Sequence, residues 1–345
     1  MNDDPLAGRA ATEPPRGLVS VLIPCFNAEG TLGEALESVF GQTWRRVEAI
    51  VIDDGSTDRS GEIARRFRDR GIVLCRQWNR GASAARNRAL AIARGEYCVF
   101  LDADDIFEPR FVATQVRAIV AAEADICFGQ GVSVWPDGRA MEAPAMPPAA
   151  SLDRALSRVL SDGWLPPHAI LWRTSFARKI GGWDATLRRN DDGEFIARAL
   201  LNGPVIACSR GPRAIYRQHD APRRISRRKD WSAIESSVAI VERLDARILG
   251  RPHWPLSRRS VARQAYELAS EAYFLGFDDL GARAEIIARR SGALPPLPST
   301  PLHNLGVAVL GLRNKARLSR VRSKLPGMPW RGPSRSRFDL LRGPP

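Results

Sequence analysis

The sequence predicts an α/β fold, a mostly parallel sheet flanked by helices, followed by a helical extension and a basic tail. Short apolar runs alternate with segments of helical period, the pattern of strand–helix–strand units. Those runs are largely apolar, as strands covered on both faces are. Their carboxyl ends carry the polar motifs, where open sheets of this kind bind ligands.

Val19-Ser20-Val21-Leu22-Ile23 is a β-branched run stopped by Pro24, as a buried strand should be. Thr31 and Glu34 have the spacing of a capping box, and Leu32, Ala35, Leu36, Val39 and Phe40 follow at helical intervals. Val47 to Ile52 is a second strand, ended by Asp53-Asp54-Gly55-Ser56. A helix carrying Ile63, Ala64 and Phe67 leads to a third strand at Ile72 to Cys75. Another helix runs from Ala82 to Ala93, and a fourth strand, Tyr97 to Leu101, ends in Asp102-Ala103-Asp104-Asp105. Ala143 to Ala150 reads as a loop, and a further helix begins near Asp192. From Asp230 to Arg290 the pattern is helical, with Ile234, Val238, Val241, Leu244 and Ile248 on one face. Beyond Leu294, prolines and arginines predict a partly disordered tail with one basic amphipathic segment from Leu302 to Leu325.

The 345 residues carry a net charge of +14, a surplus suited to an anionic partner. An arginine-rich composition explains it equally well, so charge alone assigns no partner. No run approaches the roughly 18 to 20 apolar residues of a membrane-spanning helix, and Met1 to Gly17 lacks the apolar region of a secretory signal. The five cysteines are scattered, without a CxxC pair. They point to reduced thiols in a cytoplasmic protein.

Three carboxylates in Asp102-Ala103-Asp104-Asp105 repel one another, and a divalent cation, Mg²⁺ or Mn²⁺ carrying a diphosphate, relieves that repulsion. Taken alone, the run reads equally as a solvated turn of capping aspartates. At Asp53-Asp54-Gly55-Ser56 a carboxylate can accept from a base N–H or a ribose hydroxyl, or simply cap a turn. Pro24-Cys25-Phe26-Asn27 sets an aromatic ring where it can stack on a base or pack as a staple. Asn79 to Asn87 opens a helix with small residues and places Arg86 one turn in, within reach of a phosphate.

Together VSVLIPCFN, VIDDGSTD, NRGASAARNRAL and GEYCVFLDADD, spread over Val19 to Asp105, resemble the donor half of the family 2 glycosyltransferases in order and spacing. The resemblance implies a GT-A fold, a nucleotide-sugar donor (most often a uridine diphosphate sugar), and inversion at the anomeric carbon. It implies that Phe26 and Asp54 contact the base, helped by Pro24, Asn27 and Asp53, and that Asp102 lies near the ribose. Asp104 would hold the metal and diphosphate, with Asp105 beside it. Lys179 to Phe195 resembles the family's acceptor segment, where an acidic pair supplies the catalytic base; here that pair is Asp191-Asp192, with Asp192 the base and Asp191 its support. Tyr216-Arg217-Gln218-His219-Asp220 resembles a segment whose histidine reaches the metal, so His219 is a candidate ligand.

The QxxRW motif of processive synthases is absent, which points to transfer of a single sugar to a saccharide or lipid-linked acceptor, as in bacterial cell-surface polysaccharide or glycolipid synthesis. A dehydrogenase would carry GxGxxG after the first strand, where this chain has PCFNAEGT. The remaining alternative is an inactive basic protein of the same fold, binding anionic membrane or nucleic acid; the complete carboxylate set argues against it, and no nucleic-acid partner is expected. The organisation predicted is a disordered residue 1–17, a catalytic domain 18–225 (donor half 18–110, acceptor half 111–225), a helical extension 226–293 and a tail 294–345 that rests on the inner face of the membrane.

Overall fold

In a computed structural model describing residues 15–146, 151–162, 165–218, 228–290 and 301–322, the first apolar run is β1 (Val19–Cys25), buried along its whole length. A strand buried along its length needs cover on both faces, and α1 (Leu32–Phe40) supplies part of it through Leu32, Ala35, Leu36 and Val39. Next come β2 (Val47–Asp53), α2 (Ser60–Arg65), β3 (Val73–Arg76), α3 (Ala82–Ile92) and β4 (Tyr97–Phe100). These four strands are parallel, in the order β3-β2-β1-β4. Their register pairs Cys25 with Asp53 and Asp53 with Arg76, so the carboxyl ends of β1, β2 and β3 line up along one edge.

The chain continues through β5 (Ile106–Phe107), α4 (Phe111–Ala121), β6 (Ile126–Val134), β7 (Ala140–Glu142), α5 (Leu152–Asp162), β8 (Ile170–Arg173), α6 (Thr174–Lys179), α7 (Asp191–Leu201) and β9 (Ile206–Arg217). The sheet extends from β4 as β8-β6-β9-β5, with β7 against β6. Here it is mixed: β8 is antiparallel to β4 and β6, β9 is parallel to β6, and β5 is antiparallel to β9.

The chain divides into two compact units. Met1–Ala150, Leu165–Thr186 and Asn202–Ala221 make the first, which holds the sheet; Ser151–Trp164, Leu187–Leu201 and Pro222–Pro345 make the second. In the second, α5 and α7 pack with α8 (Trp231–Leu249) and α9 (Pro255–Leu275), and α9 packs with α10 (Asp278–Arg290) and α11 (Pro301–Arg322). The single boundary expected near residue 225 is therefore replaced by an interleaved one. Asp230 caps α8 by accepting the Ala233 N–H at 3.1 Å. α11 overlaps the amphipathic segment expected in the tail and breaks at Gly311, whose φ is +74°. No described helix is long and apolar enough to cross a membrane.

Two local expectations change. Thr31 precedes α1 without a side-chain bond to it, and Glu34 pairs with Arg217 on β9 instead of closing a capping box. Gly17, placed in a disordered N-terminus, donates its N–H to Glu96 Oε2 at 2.8 Å and accepts from Trp44 Nε1 at 2.9 Å.

Candidate active site

The turn after β2 is built around its carboxylates. Asp53 Oδ1 accepts the Ser56 N–H at 2.8 Å. Gly55 takes φ +81°, and a Cβ there would sit 3.0 Å from the Asn79 nitrogen, so only glycine fits. Asp54 is buried and accepts from Gln77 Nε2 at 2.7 Å, the Arg80 N–H at 2.9 Å and the Gly81 N–H at 2.8 Å. The residue expected on the base thus fastens the loop between β3 and α3. Asn27, in left-handed backbone at φ 49°, accepts the Thr57 N–H at 2.9 Å and donates its own N–H to Ser56 Oγ at 3.1 Å. It ties the end of β1 to the β2 turn. Pro24 lies within β1, paired with Ile52, and Phe26 beyond it keeps a half-exposed ring.

Beyond β4, Asp102 accepts from Arg86 Nη2 at 2.6 Å and keeps 28% of its side-chain surface exposed. Burial would raise its pKa, but the Arg86 charge and hydrogen bond outweigh that and hold it below the usual carboxylate range. Arg86, expected on a phosphate, is itself buried, with its guanidinium 4.3 Å from the Trp183 ring centroid. Next to it Asn87 makes two bonds to the same residue: Nδ2 donates to the Trp183 carbonyl and Oδ1 accepts the Trp183 N–H, each at 2.7 Å. Helix α3 thereby fixes both the Gly181-Gly182-Trp183 turn and the cation that steadies Asp102.

Asp104 is partly exposed, and its carbonyl accepts from Arg217 Nε. Asp105, expected beside Asp104 on the metal, is instead fully enclosed. Its Oδ1 accepts the Arg217 N–H at 2.9 Å, and its Oδ2 lies 3.1 Å from His168 Nδ1. Burial first, then the charges of Asp104 and Asp102, push its carboxyl well above the usual range. His168 is buried too, and burial lowers its pKa from 6.5 to about 4.

The hard oxygen donors at Asp102 and Asp104, and the like-charge repulsion felt at Asp105, suit a Mg²⁺ or Mn²⁺ ion. Among the described residues no three His, Cys, Asp or Glu side chains converge as a full ligand set; His219 lies outside the described residues. Asp191 and Asp192 are partly exposed in the first turn of α7, in the second unit, where Asp192 Oδ1 accepts the Gly193 N–H at 2.8 Å.

Sequence reasoning passed over Gln77, Asn87, Trp183, His168 and Arg217. Asn87, Trp183 and Arg217 stand inside quoted motifs, so position was their only signal. Trp78, on the loop fastened by Asp54, is 89% exposed and carried no signal.

Residues 20–170 match the family model described as glycosyl transferase family 2. Over 113 residues the chain is 42% identical to glycosyltransferase GlyA of Streptococcus pneumoniae serotype 4, covering 32% of this chain and 16% of GlyA. It is 37% identical over 101 residues to the UDP-Glc:alpha-D-GlcNAc-diphosphoundecaprenol beta-1,3-glucosyltransferase WfaP of Escherichia coli, covering 29% and 40% of the two chains. With the succinoglycan biosynthesis protein ExoU of Rhizobium meliloti it shares 33% identity over 201 residues, 54% of this chain and 57% of ExoU. The matches thus span less than two thirds of each relative. In fold, the chain is similar to residues 1–349 of S. aureus TarS, solved with UDP-GlcNAc: TM-score 0.68, 19% identity, 90% of this chain and 93% of that one. It is also similar to the mannosyltransferase PcManGT of Pyrobaculum calidifontis, solved with GDP-Man and Mn²⁺: TM-score 0.53, 18% identity, coverage 91% and 90%. These likenesses establish a GT-A fold.

Proposed function

We propose, from the match of residues 20–170 to the glycosyl transferase family 2 model, that the protein is a metal-dependent, inverting glycosyltransferase. It moves one sugar from a nucleotide diphosphate sugar, a uridine diphosphate sugar in our reading, to an acceptor hydroxyl. The observation that carries this is the pair of partly open carboxylates, Asp102 and Asp104, directly beyond β4, with Arg86 fixed on Asp102. Phe26 stacks on the base, above a turn that Asp53, Asp54 and Asn27 hold in shape. Asp102 accepts from the ribose, and Asp104 would hold the cation and, through it, the diphosphate. A bound Mn²⁺ or Mg²⁺ would neutralise charge on the departing diphosphate. Asp192, supported by Asp191, takes the acceptor's proton as its oxygen bonds to the anomeric carbon and the carbon–phosphate oxygen bond breaks. The names of WfaP and ExoU favour a lipid-linked or saccharide acceptor in cell-surface polysaccharide synthesis. Calorimetric titration with UDP tests the donor side: binding requires Mn²⁺ and is lost in Asp104→Ala, and metal-independent binding would count against the reading.

We also infer contact with an anionic membrane through α11. Arg313, Lys315, Arg317, Arg320 and Arg322 lie on this helix without an acidic residue between 301 and 322. Leu318 and Val321 are exposed, while Leu312 and Ala316 are buried. A basic helix with an apolar exposed face suits a surface of anionic lipid. In flotation assays the protein should rise with phosphatidylglycerol-containing vesicles at low salt and stay down at high salt; absence of salt-sensitive binding removes the inference. A mere binding protein of this fold would float yet take up no UDP.

A further inference from the structure

The Asp102–Asp105 turn carries three carboxylates in four residues, two of them partly open to solvent. Such a turn holds one shape against its own repulsion only if its buried end is gripped. Asp105 is that end. From one side Arg217 grips it: the N–H reaches Asp105 Oδ1 at 2.9 Å, the guanidinium Nε reaches the Asp104 carbonyl, and another nitrogen pairs with Glu34 on α1. From the other side comes His168. It stands in the one-turn segment Pro167–Ala169 that leads into β8. The antiparallel register of β8 with β4 runs that segment alongside the end of β4.

The imidazole is fully enclosed and stacks on Tyr216, with ring centroids 6.0 Å apart and planes at 17°. Its backbone is set as well: the Ala169 N–H donates to the Pro166 carbonyl at 2.9 Å, and Gln115 Nε2 donates to the Ala169 carbonyl at 2.9 Å. An apolar ring would fill such a space without leaving polar atoms in it, so a buried imidazole calls for a specific contact. The polar atom it meets is Asp105 Oδ2, 3.1 Å from Nδ1. Neither atom makes an aligned hydrogen bond among the described residues, so this 3.1 Å approach is the polar contact each has.

We propose that His168 is a positioning residue for the donor site: it seats Asp105 against Arg217 and so fixes where Asp102 and Asp104 present their carboxylates. It touches neither substrate nor metal itself. The claim about the turn stands on its own geometry; only its consequence for metal use rests on the proposed function.

Three variants separate a positioning contact from simple packing. His168→Asn keeps a side-chain nitrogen where Nδ1 lies, His168→Gln puts one where Nε2 lies, and His168→Leu keeps only bulk. Amide hydrogen exchange of residues 101–107 in the full chain reads the turn without any ligand. Exchange should be about tenfold faster in H168L and H168Q and close to wild type in H168N. In UDP titrations, the Mn²⁺ concentration giving half-maximal binding should rise about tenfold in H168L and recover in H168N, the scale of a lost supporting partner. Equal exchange in all variants, or no difference between Asn and Gln, overturns the proposal. If H168L fails to fold, H168N against H168Q decides. If the wild type binds no UDP with Mn²⁺, the functional reading falls while the exchange result still decides the role of His168.

Discussion

At the scale of single residues, Asp105 and His168 are a buried pair that burial moves in opposite directions, the acid up and the base down to about 4. A histidine whose folded pKa lies below its unfolded value of 6.5 contributes stability that is present above pH 6.5 and lost as pH falls through about 4. Across that window the unfolded chain binds a proton that the folded chain refuses. Asp105 works the other way: its raised pKa costs stability as pH climbs above the ordinary carboxylate range. The His168 share is therefore read from the difference between wild type and His168→Asn. Urea denaturation should show wild type losing about 2 to 3 kcal/mol relative to the variant between pH 7 and pH 4.5; parallel profiles would contradict it. Nothing in the sequence around His168 foretold this contact. It is one of four histidines, and its partner lies across a strand pairing that no local pattern encodes.

At the scale of elements, α3 does more than cover the sheet. Arg86 and Asn87 are consecutive, so one turn of helix sets the cation on Asp102 and both bonds to the Trp183 backbone. Gly182 takes φ +64°, and a Cβ there would lie 2.5 Å from Asn87 Oδ1, the atom that accepts the Trp183 N–H. Gly182→Ala should therefore cost about 2 kcal/mol, through backbone strain and a disturbed buried bond. An unchanged urea midpoint would show that the turn yields freely. The strands from β1 to β4 were legible because short, largely apolar runs, each closed by a polar turn (acidic after β2 and β4), admit few other interpretations. What those acidic turns do was less legible. Asp54 and Asn27 look available in sequence, yet in the fold their side-chain oxygens accept backbone N–H groups of neighbouring turns, a need set by chain geometry.

At the scale of the whole molecule, helix existence was readable and helix partnership was not. Amphipathic patterns mark α7 through α10 but do not say what each face meets. The grouping of α5 and α7 with the C-terminal helices follows from long-range packing. The mixed half of the sheet was equally hidden, since β8 and β9 are placed by pairing across many residues. The edge at the carboxyl ends of the parallel strands is different: three βα turns and the β4–β5 turn lie there, and its carboxylates are concentrated in short acidic stretches. Calorimetric titration of UDP into the wild-type chain, with and without Mn²⁺, tests that edge most directly. Uptake should need Mn²⁺, weaken more than about tenfold in Asp104→Ala, a penalty at least that of a lost supporting residue, and persist in Asp192→Asn. Uptake indifferent to both metal and Asp104, or none at all, would contradict it.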